Sequence, residues 1–136
     1  MRSSILTATA ALAATAIASP IVERTVYYNW PATNVQSDVA HILIGAKFDL
    51  DAPAGYVAGA PAFSVTCHAN LIDPAGRVAC VPKGTLAAGS KVEADYWDGQ
   101  HGTLTVWHTY GSHTASGVIT LSGYNQDFVI PVTSVV

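Results

Sequence analysis

The chain has 136 residues and a formal net charge of −3; half of its residues are hydrophobic and 11% are charged. An acidic balance without a basic cluster excludes a nucleic-acid partner, because phosphates would be repelled. The sequence contains neither G-x-G-x-x-G nor a P-loop, and it also lacks the G-x-S-x-G motif. The common nucleotide-binding and serine-hydrolase motifs are therefore absent, and no cofactor is expected.

Residues 1–18 have the pattern of a secretory signal peptide. The charge of Arg2 is followed by the apolar, small-residue stretch Ile5–Ala18, which ends in an A-x-A cleavage pattern. The alternative is a membrane anchor, but this stretch is shorter than the about 20 apolar residues of a spanning helix and is followed by Pro20. We therefore expect a secreted, extracellular protein without a membrane span.

Residues 19–24 are predicted to be a short pro-segment, because they end at the basic residue Arg24. The mature chain would then span residues 25–136, a length typical of one domain, and no linker divides it. Removing residues 1–24 takes away two arginines and one glutamate and leaves a formal net charge of −4.

From residue 25 onward apolar and polar residues alternate with period two, which predicts β-strands and no helix. Regular short strands joined by turns favour a single antiparallel β-barrel or a closed β-sandwich, because closure removes exposed strand edges. The predicted strands are Thr25–Trp30, Val39–Leu50, Ala62–Ile72, Arg77–Val81, Lys91–Trp97, Thr103–Tyr110, Gly117–Leu121 and Asp127–Val135.

The connections between the strands differ in character. Residues 51–61 have no period and are rich in Gly and Pro, which predicts a mobile loop. Residues 98–102 and 122–126 instead predict tight turns between neighbouring strands.

The two cysteines, Cys67 and Cys80, are predicted to form one intramolecular disulfide. An even cysteine count in an exported chain indicates a disulfide, whereas a metal site would need further thiolates and a free nucleophile is disfavoured outside the cytosol. Residues 73–76 predict a type I turn, so that the third and fourth strands form a hairpin in which the cysteines oppose each other. Counted from the turn, the pair is offset by one residue, which a bulge near Gly76 would absorb.

Three histidines lie close together in the sequence, and an imidazole can serve as a metal ligand or a proton shuttle. His108 shares a strand face with apolar residues, while His101 and His113 fall in the turns at opposite ends of that strand. We therefore expect surface and rim histidines and no metal site.

Two pairs of carboxylates raise the alternative of a small carbohydrate-active hydrolase. Glu93 and Asp95 share the outer face of one strand with Trp97, close to His101, and Asp49 and Asp51 are spaced in the same way. Acids on the exposed face of a strand are also what solubility requires. No catalytic residue is therefore assigned.

Aromatic residues are numerous for so small a domain. Tyr28, Trp30, Trp97 and Trp107 are predicted as a binding face if they point outward. The alternative is that these side chains lie in the core.

The order of these features resembles the family of the major Alternaria allergen, small fungal secreted β-barrels that include plant-interacting effectors. The resemblance is carried by the leader and by four short segments, Lys47–Leu50, Phe63–Ala69 with Ala79–Cys80, Gly102–Val106 and Asp127–Val129.

The chain departs from that family's pattern in its cysteines. The family's usual second disulfide has no counterpart here, and no N-terminal cysteine is present for a covalent dimer, so no interchain disulfide is expected. The resemblance implies a non-enzymatic extracellular protein that binds a host protein, a cell-wall component or a small ligand. A further alternative is a structural cell-wall or surface protein without a specific ligand.

Overall fold

The computed structural model describes residues 28–73, 75–97 and 102–136. The predicted signal peptide (1–18), pro-segment (19–24) and first strand residues 25–27 lie outside these ranges, as do residues 98–101 of one predicted turn. The described residues form strands and no helix. The strands are β1 (Asn29–Ala40), β2 (Ile42–Ala52), β3 (Phe63–Asn70), β4 (Val78–Ala79), β5 (Val81–Pro82), β6 (Lys91–Trp97), β7 (Thr103–Tyr110), β8 (His113–Thr120) and β9 (Phe128–Val135).

All nine strands belong to one antiparallel sheet in the order β4-β6-β7-β8-β9-β1-β2-β3-β5. The two outermost strands, β4 and β5, are consecutive in the chain and flank Cys80. Residues 78–82 therefore pair with β6 on one side and with β3 on the other, and the backbone N–H of Cys80 donates to the carbonyl of Val92 at 2.8 Å. The predicted all-β architecture is confirmed as a nearly closed antiparallel β-barrel.

The predicted disulfide between Cys67 and Cys80 is also confirmed, and it crosses the seam at which the sheet closes. The register pairs Val65 with Pro82 and Thr66 with Val81, which places the two cysteines directly opposite each other with Cα atoms 4.3 Å apart. The predicted offset of one residue is wrong, because the register of these two pairs, continued by one residue, brings Cys67 opposite Cys80.

The barrel interior is filled by alternate side chains of each strand. In β7 every second residue from Leu104 to Tyr110 is buried, while Thr103, Thr105, Trp107 and Thr109 face outward. Successive side chains of a strand point to opposite faces. The apolar residues at every second position of the sequence are therefore the ones that fill the core. The largest fully buried side chains are Trp30, Phe48, Leu50, Leu104, Ile130, His108, Val65, Val92, Val106 and Cys67.

Several strands extend beyond their predicted bounds, β2 by only two residues, to Ala52. β1 continues through residues 31–40, which contain a proline and several polar residues, and its ladder with β2 is interrupted by two register shifts. β8 begins at His113 rather than at Gly117, because Gly111 has a φ of 57° and starts a turn that the strand alternation does not reveal.

Residues 53–61 form what we call the capping loop, which folds against the barrel; residues 51–52 of the loop predicted over 51–61 belong to β2 instead. Tyr56, Val57 and Ala60 are buried, and the N–H of Gly55 donates to the carbonyl of Ala60 at 2.8 Å while the N–H of Ala60 donates to that of Val57 at 3.0 Å. Gly55 and Gly59 have φ values of 77° and 84°, a region that glycine adopts without steric cost. The loop is thus a folded unit seated on the barrel.

Replacing both cysteines by alanine tests how much the disulfide at the seam contributes to the stability of the barrel. The Cys67→Ala/Cys80→Ala chain is expected to lose about 3 kcal/mol of unfolding free energy, because the denatured chain regains the freedom of the closed loop. Urea denaturation measures this loss, with Val81→Ala, an exposed neighbour, as the matched control. An unchanged midpoint in the double variant would show that the strand pairing alone closes the barrel.

Candidate functional site

Trp30 is not part of a binding face, because its side chain is 0% exposed. Its indole packs edge-on against the rings of Tyr56 and Phe63, with centroids 5.5 and 5.6 Å away. The prediction is wrong for this residue. Trp30 alternates in phase with the buried Ala32, and this phase was the signal in the sequence that could have placed it in the core.

The three other aromatic residues lie apart from one another. Tyr28, 42% exposed, precedes β1 at the end of the barrel where β2 ends and β3 begins, which we call the mouth. Trp97, 53% exposed, pairs with Thr103 at the opposite end. Trp107 lies on the outer wall beneath the guanidinium of Arg77, which is 3.7 Å from the ring centroid. The structure does not bring the predicted residues together into one surface.

The carboxylate of Glu93 forms ion pairs with two cationic side chains. Arg77 Nε donates to its Oε1 at 3.1 Å, Arg77 Nη2 lies 3.0 Å from the same oxygen, and Lys91 Nζ lies 3.8 Å from Oε2. Asp95 lies beside Glu93 on the same outer strand face, whereas a glycosidase needs two acids facing each other across a bound sugar. His101, the other residue considered for this chemistry, lies outside the described residues.

The second carboxylate pair is held within the sheet surface. Asp49 accepts hydrogen bonds from Asn34 Nδ2 and Thr66 Oγ1, each at 2.8 Å, and Lys83 Nζ lies 3.4 Å away. The bonds from Asn34 and Thr66, with a smaller effect of Lys83, lower the pKa of Asp49. Asp51 accepts a hydrogen bond from the hydroxyl of Ser64. These contacts connect β1, β2 and β3 and engage both carboxylates of the pair.

His108 is buried inside the barrel, so the prediction of a surface or rim histidine is wrong for this residue. Its side chain is 0% exposed, its Nδ1 lies 2.6 Å from the hydroxyl of Tyr56, and its Nε2 lies 2.8 Å from the hydroxyl of Ser90. Burial lowers its pKa to about 4, so the imidazole is neutral at neutral pH. Its phase with Leu104 and Val106 already pointed inward, and no local pattern could supply its two partners.

Tyr56 closes the mouth of the barrel from the capping loop. Besides Trp30, its ring packs against Phe63 and His108, with centroids 6.2 and 5.7 Å away. Burial first, and the neighbouring Tyr110 second, raise the pKa of its phenol, which therefore stays neutral. Close by, the indole Nε1 of Trp30 is buried without a hydrogen-bond partner.

Two adjoining grooves lie outside this closure, on the rim of the mouth. The first, of about 610 Å³, is lined by Tyr28, Asn29, Pro31, Pro53, Ala54, Gly55, Tyr56 and Val129. The second, of about 470 Å³, is lined by Tyr28, Pro31, Asp51, Ala52, Pro53, Ala62, Phe63, Ser64 and Thr85. Both share Tyr28, Pro31 and Pro53, and the first has no charged side chain in its lining. We call the two together the rim grooves.

Within residues 28–73, 75–97 and 102–136, no three His, Cys, Asp or Glu side chains lie close enough to hold a metal ion. The same ranges contain no helix that could cross a membrane. Fold and site together define a small disulfide-linked β-barrel with a capped mouth. No protein-family model, curated protein or solved structure matches the chain.

The hydrogen bond between Tyr56 and His108 is tested by removing one hydroxyl. Tyr56→Phe keeps the ring packing but leaves the buried Nδ1 of His108 without its partner, so we expect a loss of about 1–3 kcal/mol of unfolding free energy at pH 7. Tyr124→Phe, at an exposed tyrosine, is the matched control in urea denaturation. If both variants unfold at the wild-type midpoint, the bond contributes nothing to the closure of the mouth.

Proposed function

We propose that the chain is an exported, non-catalytic binding protein whose partner docks in the rim grooves. The observation that carries this proposal is the concentration of exposed apolar and aromatic surface around Tyr28, Pro31 and Pro53, at the end of the barrel that the capping loop closes. Loops and rims on a rigid scaffold are the usual place for recognition. The outer-wall acids, in contrast, are engaged by partners within the chain.

Export is supported by the residues that precede and staple the barrel. The leader carries the pattern of a signal peptide, and a disulfide persists in an oxidising compartment such as the extracellular space. The proposal thus places this protein beside the fungal allergen and effector barrels that its sequence resembles. This resemblance is used only for the cysteine pair and the exported barrel. No ligand site is carried over from those proteins.

The chemistry of the rim grooves favours an extended, proline-containing polypeptide segment as the partner. Grooves lined by aromatic and proline side chains accept polyproline II helices, whose extended conformation costs little entropy to bind. Tyr28 supplies an exposed aromatic face, Pro31 and Pro53 supply rigid apolar walls, and Asn29 supplies an amide for a backbone carbonyl. Since the first groove is uncharged, binding there should depend only weakly on salt.

Secreted material tests the export half of the proposal. Intact-mass analysis without reductant is expected to show a monomer that begins near Thr25 and is lighter than its reduced form by two hydrogen atoms, because the signal peptide and pro-segment are removed and Cys67 pairs with Cys80. Peptide mapping then locates the disulfide. An unprocessed chain with both thiols free would contradict export.

A peptide titration tests the binding half. Adding a proline decamer to the isotope-labelled mature chain should shift the backbone amide signals of residues 54–56 and Val129. Tyr28→Ala should weaken that affinity at least about tenfold, since an aromatic anchor contributes more than 1 kcal/mol. Tyr124→Ala, an exposed tyrosine outside both grooves, is the matched control.

The same titration separates the other partner classes. A soluble cell-wall oligosaccharide, run in parallel, is expected to leave the rim signals unchanged. Shifts caused by the oligosaccharide alone, or peptide-induced shifts that survive Tyr28→Ala, would overturn the assignment of the rim grooves to a polypeptide partner.

A further inference from the structure

We propose that the capping loop is an acid-opened lid, which leaves the mouth of the barrel when His108 takes up a proton. The lid would connect the pH of the surroundings to the shape of the rim. It goes beyond partner binding, and only its consequence for the rim grooves rests on the proposed function.

Among the residues that the structure describes, none supplies a counter-charge to a protonated His108. It faces Tyr56 from the capping loop, Phe63 from β3, Ser90 ahead of β6 and Tyr110 along β7. Its strand neighbours are Val92 of β6 and Ala115 of β8. The titratable groups among these contacts are two neutral phenols, and none carries a charge. A buried ion without a counter-ion is costly unless water reaches it.

Of the segments that surround His108, the capping loop is the one that is able to move. The strands that flank His108 are held by continuous ladders, whereas the backbone hydrogen bonds of the loop, from Gly55 to Ala60 and from Ala60 to Val57, are internal to it. A Cβ atom added at Gly55 or Gly59 would meet nothing within 4 Å. The loop can therefore swing as one unit without breaking its own bonds.

The depressed pKa of His108 sets the direction in which pH changes the stability of the closed mouth. The pKa of His108 is about 4 with the mouth closed, against an ordinary value of 6.5. Because the closed pKa is depressed, the closed form has its full stability above pH 6.5 and loses stability as the pH falls toward 4. Over that window the ratio of open to closed loop should rise on the order of 100-fold.

Opening would also change the candidate binding surface. The first rim groove loses the wall formed by Pro53–Tyr56, while Trp30 and Phe63 become accessible beneath it. The indole N–H of Trp30, which has no partner in the closed mouth, gains access to an acceptor. Acid would therefore release a partner held in the rim grooves and expose a different, aromatic surface.

The test uses Trp30 as the reporter and needs no partner. In a Trp97→Phe/Trp107→Phe background Trp30 is the single tryptophan of the chain, and its quenching by acrylamide measures access to the mouth. We expect quenching to rise between pH 6.5 and 4 while far-ultraviolet circular dichroism retains the sheet signal. Adding His108→Gln, which keeps a neutral hydrogen-bonding side chain, should abolish the rise, whereas His113→Gln, at an exposed histidine, should leave it intact.

A second measurement keeps His108 in place, in case its variant does not fold. The imidazole titration of His108, followed by nuclear magnetic resonance, should coincide with loss of hydrogen-exchange protection at the indole N–H of Trp30, which is buried in the closed mouth. An equal rise in quenching in the His108→Gln chain, an indole N–H of Trp30 that stays protected at pH 4, or exposure of Trp30 only when the sheet unfolds would each overturn the lid. None of these outcomes depends on whether a peptide binds the rim.

Discussion

The closure of the sheet by residues 78–82 is the constraint on which the rest of the structure depends. One short segment pairs with β6 and with β3, and the Cys67–Cys80 disulfide binds it to the wall at the point of contact. Without that segment the sheet would have two free edges and an open interior, and exposed edges are sites of aggregation. A barrel of this size has a small core, so a covalent link at the seam adds a stabilisation that packing alone supplies sparingly.

Closure creates an apolar interior, and the chain places one histidine inside it. His108 is tolerated because Tyr56 and Ser90 satisfy both ring nitrogens and because the imidazole is neutral. The cost of burying a polar group is thus offset by hydrogen bonds to two segments that are not strands. The same pairing fixes the capping loop, since Tyr56 is at once the partner of His108 and a neighbour of Trp30. The pairing of Tyr56 with His108 is therefore the common origin of the stability of the mouth and of its proposed sensitivity to acid.

Charge is divided unequally over the outer surface. On the wall, Asp49 and Glu93 are each surrounded by donors from neighbouring segments, so these carboxylates connect strands and keep the surface polar. Around the mouth the surface is formed by tyrosine, proline and small residues, and charge is nearly absent. The contrast is the reason why the proposed partner site is assigned to the rim rather than to the acid-bearing strands.

The sequence by itself determined the all-β class, the inward face of β7 and the pairing of the two cysteines, because strand alternation and cysteine count are local properties. It did not reveal that residues 31–38 continue β1 or that residues 53–61 fold over the mouth. Both depend on partners distant in the chain, namely the β2 ladder and the buried contacts of Tyr56. The placement of Trp30 in the core and the two partners of His108 were likewise decided only by the tertiary structure. Alternation tells which side of a strand a residue occupies, whereas burial and hydrogen bonding depend on what the rest of the chain brings to that side.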